Sequence, residues 1–182
     1  MPILIYIYIV ALTLFATTLS IYWLSLTWTR VPFIPLSSKH MQDIVDCLGI
    51  GPGSVFMDLG SGDGRVVLAC AQAQPQATCV GVEFALAPTL MSRLAYIRAG
   101  KPANAVFRHD DIFSVDVSKA THIFCYLFPE VMADVHEKFK KELAPGTKVV
   151  VCDFPIVSKE PLKVQTFKNK AVLGKKLYVY QY

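Results

Sequence analysis

The sequence predicts a doubly wound α/β fold, with a mainly parallel, Rossmann-like sheet of seven strands that follows an N-terminal transmembrane helix. Short apolar runs alternate with helical patterns over residues 37–182, and such alternation is typical of a parallel sheet covered on both faces. Residues 2–29 contain no charged side chain, and about 20 apolar residues in a helix can cross a bilayer. The chain therefore divides into an anchor at 1–29, a linker at 30–36 and one domain at 37–182.

The first positive charges predict how the anchor is oriented. A cleaved signal peptide would need a basic start, a shorter apolar run and a small-residue cleavage site, so a retained anchor is favoured. Arg30 and Lys39 come directly after the apolar run, and positive residues stay on the cytoplasmic side of a membrane. We expect a single-pass membrane protein whose domain faces the cytoplasm, or the matrix if the membrane is mitochondrial.

The cysteines, histidines and charges narrow the classes of site. Five widely spaced cysteines are typical of reduced core thiols and not of a disulfide framework. The four histidines show no ligand spacing, so no metal is predicted. Six lysines against one acid make the segment after Ser158 basic. We interpret that segment as a solvated surface, with a patch for anionic headgroups or a substrate entrance as the alternative.

Apolar runs, prolines and glycines predict the elements of the domain. A helix capped by Ser37 or Ser38 runs to about Leu48. Later helices begin near Val66, at Pro88 and after Pro129, because proline is favoured in a first helical turn. Two alternating stretches close the sheet as an antiparallel pair. The predicted strands are 55–59, 78–83, 105–107, 122–127, 148–152, 163–167 and 177–181.

A glycine turn follows the first predicted strand. Gly60, Gly62 and Gly64 separate that strand from the next helix. Glycines let the backbone approach a ligand closely, and the first N–H groups of the helix face it. The dinucleotide fingerprint G-x-G-x-x-G would need a glycine at Arg65, which this chain lacks. The turn therefore predicts a nucleotide-like ligand other than a dinucleotide.

Acidic residues stand at the ends of three predicted strands, where doubly wound sheets bind their ligands. Asp58 comes just before the glycines, Glu83 ends the second strand, and Asp110 and Asp111 follow the third. Together with Asp63 in the turn, these acids disfavour a ligand that carries phosphates.

The segment Asp58-Leu59-Gly60-Ser61-Gly62-Asp63-Gly64 resembles motif I of the class I S-adenosylmethionine (AdoMet) methyltransferases. For that ligand, Glu83 fits an acceptor of both ribose hydroxyls. Asp58 either accepts from the ligand's ammonium group or caps the amides of the turn. The backbone against which the methionine tail and ribose would lie belongs to Gly60, Ser61 and Gly62.

The adenine of such a ligand would lie beyond the third strand. Asp111 is the favoured acceptor from its amino group, and the backbone N–H of Ile112 is the favoured donor. Asp110 is the competing acceptor, and an Asp-Asp pair is also typical of a helix cap.

The end of the fourth strand lies where the methyl acceptor belongs. It lacks the N/D-P-P-Y signature of enzymes that methylate the amines of bases, and no basic and aromatic run predicts a nucleic-acid groove. An aromatic, apolar rim suits a lysine amine, because burial lowers its pKa from about 10.4 and aromatic faces hold cations. The candidate catalytic residues are Tyr126, Pro129 and Glu130, and ordinary strand packing is the alternative for Tyr126 and Phe128.

Motif I, Gly81-Val82-Glu83, Asp111-Ile112-Phe113 and Phe128-Pro129-Glu130 together resemble the small membrane-anchored protein lysine methyltransferases. That family includes the mitochondrial enzymes that modify the ATP synthase c-ring protein and the adenine nucleotide translocase, with prokaryotic relatives. The non-SET histone lysine methyltransferases are more distantly similar, but they carry asparagines where this chain has Cys125-Tyr126. The resemblance implies AdoMet as cofactor and a lysine of a membrane-associated protein as acceptor, without nucleic acid or metal.

Two other functions stay open at this point. The same rim would accept a small molecule or a lipid-linked amine, and the domain would also serve as a non-catalytic AdoMet-binding module. The sequence contains no feature that identifies the methyl acceptor.

Overall fold

The structure, a computed structural model, describes residues 2–28, 33–169 and 174–182 and forms two compact units, Met1–Pro32 and Phe33–Tyr182. The first unit contains helix α1 (Pro2–Trp28). Its segment Ile3–Trp23 is exposed, 21 residues long, and has a mean hydropathy of 2.1. By length and composition this helix is able to cross a bilayer.

Part of the predicted anchor and linker lies outside the described residues. This applies to Met1, to Thr29 and to Arg30, on which the predicted orientation depends. The second compact unit begins at Phe33, inside the predicted linker 30–36, and the side chain of Leu36 is buried in its core.

The second unit contains a sheet of seven strands in the order β3-β2-β1-β4-β5-β7-β6. Strands β1 to β5 pair in parallel, and β7 runs antiparallel to both β5 and β6. This arrangement confirms the predicted doubly wound, mainly parallel fold. The strands are β1 (Val55–Leu59), β2 (Thr78–Glu83), β3 (Ala105–His109), β4 (His122–Cys125), β5 (Lys148–Cys152), β6 (Lys163–Thr166) and β7 (Lys176–Gln181).

Four helices follow the predicted order, and a short 3-10 turn precedes the first of them. The hydroxyl of Ser37 accepts from the backbone N–H of Lys39 and caps that turn, as one of the two predicted caps. The helices of this unit are α2 (Met41–Leu48), α3 (Arg65–Ala73), α4 (Leu86–Arg98) and α5 (Pro129–Glu142).

The helices lie on both faces of the sheet, which the alternation along β7 makes visible. Leu177 and Val179 belong to a buried cluster that also contains residues of α2 and α3. Tyr180 alternates with them and so points to the opposite face. On that face the ring of Tyr182 meets the ring of Phe139 in α5 edge-on, with 5.5 Å between the centroids.

Strand β4 is two residues shorter than predicted. It ends at Cys125, which pairs with Leu59, the last residue of β1. Because β1 ends there, Tyr126 and Leu127 have no ladder partner on that side, and the chain leaves the sheet toward Pro129 at the start of α5.

Candidate active site

The glycine turn between β1 and α3 depends on three left-handed backbone conformations. Gly60, Gly62 and Gly64 have φ angles of 82°, 55° and 79°, which residues with a Cβ rarely adopt. The amides of Gly60 and Ser61 both donate to the carbonyl of Val82 at 2.9 Å. These bonds hold the turn against the end of β2.

The turn also leaves no room for side chains. A Cβ at Gly60 would lie 2.8 Å from the Cδ2 of Leu127, beyond the end of β4. A Cβ at Gly64 would overlap the ring of Phe107, and one at Gly62 would overlap the ring of Phe33. The turn therefore lies directly against the first residue of the unit and the end of β4.

Asp58 is a buried carboxylate that accepts no hydrogen bond from any residue the structure describes. It is 2% exposed. Burial, and after it the charges of Glu83 and Asp63, raise the pKa of Asp58 well above its usual value of 3.8. The interpretation of Asp58 as a cap is wrong, because four amides of the turn (60, 61, 62 and 64) donate elsewhere.

Glu83, at the end of β2, is fixed across the glycine turn. Its carboxylate accepts from the amide of Gly62 at 2.9 Å and from the amide of Ala85 at 2.7 Å. Each carboxylate oxygen keeps a further lone pair for another donor. The predicted pairing of an acid with the glycine turn is therefore present, with the acid already oriented by the backbone.

The hydroxyl of Ser61 is a second polar group without a partner. Its Oγ is buried and makes no hydrogen bond with the described residues. Sequence reasoning used only the backbone of Ser61, because a serine in a glycine turn usually faces solvent or its own backbone.

Asp63 does not present a free negative charge. Its carboxylate pairs with the guanidinium of Arg65 at 2.5 Å, and Arg65 also donates to the carbonyl of Leu36. The argument that acids repel phosphates therefore depends on Asp58 and Glu83 alone.

The two acids after β3 both act as local caps. The carboxylate of Asp111 accepts from the amide of Phe113 at 3.0 Å, and that of Asp110 accepts from the amide of Asp111 at 2.9 Å. The amide of Asp110 donates to the carbonyl of Glu83 at 3.1 Å, so the pair lies beside the glycine turn. Ile112 is buried next to them.

An aromatic group forms beyond the ends of β4 and β5. The ring of Tyr126 stacks on the ring of Phe154 with 6.2 Å between centroids, and the ring of Phe128 lies 5.7 Å from that of Phe154. We call these three residues the aromatic rim. Pro129 and Glu130 follow it in the first turn of α5, and both are exposed.

Sequence reasoning missed Phe154 and its neighbour Asp153. Asp153 has a φ of 60° and accepts from the amides of Gly174 at 3.0 Å and Lys175 at 2.6 Å. Burial, followed by the charge of Asp153, raises the pKa of Tyr126 to about 12. The rule that acids end the strands of such sheets applies equally to Asp153 after β5 and would have found it.

The site fits a cationic nucleoside such as AdoMet on its own chemistry. The glycine turn leaves a cradle that side chains would fill, Asp58 is a buried acid without a donor, and the hydroxyl of Ser61 is unpaired. Within the described ranges, no group of three or more His, Cys, Asp or Glu side chains is placed to hold a metal.

Comparisons with known proteins agree with this geometry. The family described as ANTKMT methyltransferase domain matches residues 58–163. The human lysine N-methyltransferase named for the c-ring protein of ATP synthase is 34% identical over 127 residues, which are 69% of this chain and 52% of that protein. A protein-lysine N-methyltransferase of Saccharolobus islandicus is 31% identical over 136 residues, which are 74% of this chain and 84% of that protein.

A solved structure shares the fold over nearly its whole length. The RNA methyltransferase from Salinibacter ruber, in complex with S-adenosyl-L-homocysteine, superposes with a TM-score of 0.74 and 28% identity. The match covers 81% of this chain and 93% of that one. The chain spans about half the length of the human relative, so that protein has segments with no counterpart in the match.

Proposed function

We propose that this chain, which belongs to the family of ANTKMT methyltransferase domains, is an AdoMet-dependent protein-lysine N-methyltransferase held at a membrane. The observation that supports the proposal most directly is the glycine turn with Glu83 bonded across it and Asp58 buried without a donor beneath it. Two relatives that match most of this chain are named lysine N-methyltransferases.

In this proposal the polar groups of the glycine turn bind the cofactor. Glu83 accepts from the ribose hydroxyls with the lone pairs that its backbone donors leave free. Asp58 accepts from the ammonium group, and the positive charge of the ligand favours the ionised form of this buried acid. The backbone of Gly60 and Gly62 and the unpaired hydroxyl of Ser61 complete the cradle.

The adenine then lies beyond β3. Asp111 and the backbone N–H of Ile112 stay our candidates for its amino group and ring nitrogen. Both of these residues follow directly on Asp110, whose amide is bonded to the carbonyl of Glu83.

The chemistry needs mainly positioning. Bound AdoMet supplies an electrophilic methyl group on a positively charged sulfur. The lone pair of the lysine nitrogen forms the new N–C bond while the bond between methyl and sulfur breaks, with its electron pair staying on sulfur. The aromatic rim holds the amine in line and disfavours its protonated form through burial.

The candidate catalytic residues take different parts in this step. Tyr126, with its pKa at about 12, stays a neutral phenol near pH 7 and so orients the amine and does not deprotonate it. Pro129 fixes the first turn of α5 at the edge of the rim, and Glu130 is the exposed carboxylate there that receives the proton the amine gives up.

The membrane anchor supports a membrane-associated acceptor. The segment Ile3–Trp23 has the length and hydropathy of a bilayer span, and a tether of this kind confines the domain to the lipid surface. We propose a single-pass protein with its domain in the cytoplasm or matrix, and a lysine of a membrane protein as acceptor. The name of the human relative makes the c-ring protein of ATP synthase the first acceptor to test.

A binding experiment and a transfer experiment test the proposal. Titration calorimetry of the full chain with AdoMet and with S-adenosylhomocysteine should give a single site for each, and no binding of either would refute the cofactor assignment. Membrane extracts incubated with the chain and methyl-labelled AdoMet should then yield methyl-lysine in the protein fraction. Label found only in lipids, small molecules or RNA would refute the substrate class, and binding without any transfer would indicate a non-catalytic module.

A further inference from the structure

Helix α4 packs with its small and polar residues inward and its large apolar residues outward. The residues that face the sheet are buried, and they are Pro88, Thr89 and Ser92. The residues that face away are between 46% and 59% exposed, and they are Leu86, Leu90, Met91, Leu94 and Ile97. This is the reverse of an ordinary surface helix, whose apolar side faces the core.

The inward side is fixed by close packing against the glycine turn. A Cβ at Gly64 would lie 3.0 Å from the Cβ of Ser92, so a larger residue at position 92 would not fit. The hydroxyls on this side are satisfied within the helix, since Thr89 donates to the carbonyl of Ala85 and Ser92 to that of Thr89, each at 2.8 Å. The leucines are therefore held outward by the fold.

The outward residues form one continuous stripe. At about 100° per residue, Leu86, Leu90, Leu94 and Ile97 fall within roughly 80° of the helix circumference, and Met91 lies beside them. We call these five residues the outer stripe. Arg93 lies along one side of it and Arg98 along the other, and both are exposed.

The charges around the outer stripe have a single sign. Between Glu83 and Asp110 the chain has no acidic residue. It has four basic residues there, all exposed: Arg93, Arg98, Lys101 and Arg108. An apolar stripe with leucines and isoleucine, flanked by arginines and free of acids, is the composition of helices that lie in the headgroup region of anionic membranes.

We propose that the outer stripe of α4 rests in the headgroup region of the bilayer that α1 anchors, with Arg93 and Arg98 against anionic lipid. The inference rests on the membrane attachment in the proposed function and extends it. Because Leu86 lies three residues after Glu83, this contact places the carboxyl edge of the sheet, and with it the cofactor site, at the lipid surface. The acceptor lysine then lies at the level of the headgroups.

The lipid surface is favoured over other partners by the combination of features. A nucleic acid would explain the arginines but not five outward apolar side chains. A second copy of the chain would explain the apolar stripe, but paired copies would bring like charges together at its edges. The apolar helix α1 on the same chain already supports a bilayer as the neighbour of this domain.

A fluorescent label at two positions tests the placement. All five native cysteines are buried, so an NBD label reacts selectively at an added surface cysteine, either Leu94→Cys in the outer stripe or Asp134→Cys on the exposed side of α5 as the control. The full chain is placed in nanodiscs of equal parts phosphatidylcholine and phosphatidylglycerol. We expect a blue-shifted emission that doxyl-labelled lipids quench at position 94 and a water-like emission at position 134.

Three results would overturn the inference. Emission at 94 that matches emission at 134 in the nanodiscs would show that the stripe stays in water. A blue shift that grows with protein concentration and is insensitive to doxyl lipids, with a dimer in analytical ultracentrifugation, would assign the stripe to a second copy. Binding of a single-stranded RNA oligonucleotide that Arg93→Gln with Arg98→Gln abolishes, without label burial in lipid, would assign it to nucleic acid.

A paired activity measurement separates this inference from the proposed function. Leu90→Gln with Leu94→Gln changes only exposed side chains, so AdoMet affinity by calorimetry should match that of the unchanged chain. Methyl transfer to membrane extracts should fall severalfold, and retained transfer would contradict the inference. Failure of the unchanged chain to bind AdoMet would refute the proposed function while the label at 94 still reports the lipid contact.

Discussion

The two ends of the sheet treat their buried polar groups in opposite ways. At the amino-terminal end, the side-chain amide of Asn104 lies within 3.1 Å of three carbonyls, those of Ala71, Gln74 and Ala77. At the carboxyl-terminal end, the carboxylate of Asp58 and the hydroxyl of Ser61 are buried with no hydrogen-bond partner among the described residues.

This difference separates stability from binding. A buried polar group without a partner costs about 1–3 kcal/mol of stability, and a fold keeps such groups where a ligand supplies the missing partner. The amino-terminal end is where the protein satisfies its own backbone. We therefore expect changes at the two ends to have different signatures, in stability at one end and in cofactor affinity at the other.

Gly64→Ala should give the largest effect on stability. Its Cβ would overlap Phe107 and press on Ser92 in a left-handed conformation, which predicts a loss of about 2–5 kcal/mol from overpacking and strain together. Gly53→Ala at the amino-terminal end is the matched control, because Gly53 has a φ of 74° and no atom within 4 Å of its Cβ position. Urea unfolding should show a clearly smaller loss for the control, and equal losses would mean that close packing at Gly64 is unimportant.

Asp58→Asn should weaken the binding of AdoMet by about 1.5–3 kcal/mol, roughly 10- to 150-fold in Kd, because a charge-assisted hydrogen bond to the ammonium is lost. The same substitution should raise the Tm of the ligand-free protein, since it removes a buried charge. Calorimetry and thermal unfolding check the two halves separately. A variant that lost stability and kept its affinity would reverse the assignment.

Asn104→Ala should have the opposite signature. Three carbonyls would lose their shared donor, which predicts a loss of about 1–2 kcal/mol of unfolding free energy. The affinity for AdoMet should stay the same, because the carboxyl-terminal end is untouched. Parallel urea and calorimetric measurements on this variant test whether the two ends are energetically independent.

The smallest effect should appear as a dependence of stability on pH. The pKa of Asp58 is raised in the folded state, so the folded chain holds this proton to higher pH than the unfolded chain does. The contribution of Asp58 is neutral well below pH 3.8 and becomes destabilising as the pH rises through that value toward the raised pKa. Unfolding free energies of the unchanged chain and Asp58→Asn should converge at low pH, and saturating AdoMet should reduce the gap at neutral pH.

Much of the fold followed from local pattern. Apolar runs with glycine and proline boundaries predicted all seven strands and the order of the helices, because these signals lie within a few residues of one another. The positions of Asp58, Glu83 and the glycine turn followed from the rule that parallel strands end at one edge. The error at β4 arose because the end of a strand is set by its neighbour, here Leu59 in β1.

By itself, the sequence determined the helical pattern of Met91, Leu94 and Ile97, the glycine turn and the acids at the strand ends. Only the tertiary structure decided that those apolar residues face outward, that Phe154 joins Tyr126, and that Asp58 is left without a donor. The physical reason is that periodicity specifies which residues share a face, whereas the direction of that face depends on what distant segments can accommodate. At α4 the deciding contact is that of Ser92 with Gly64, 28 residues apart in the chain.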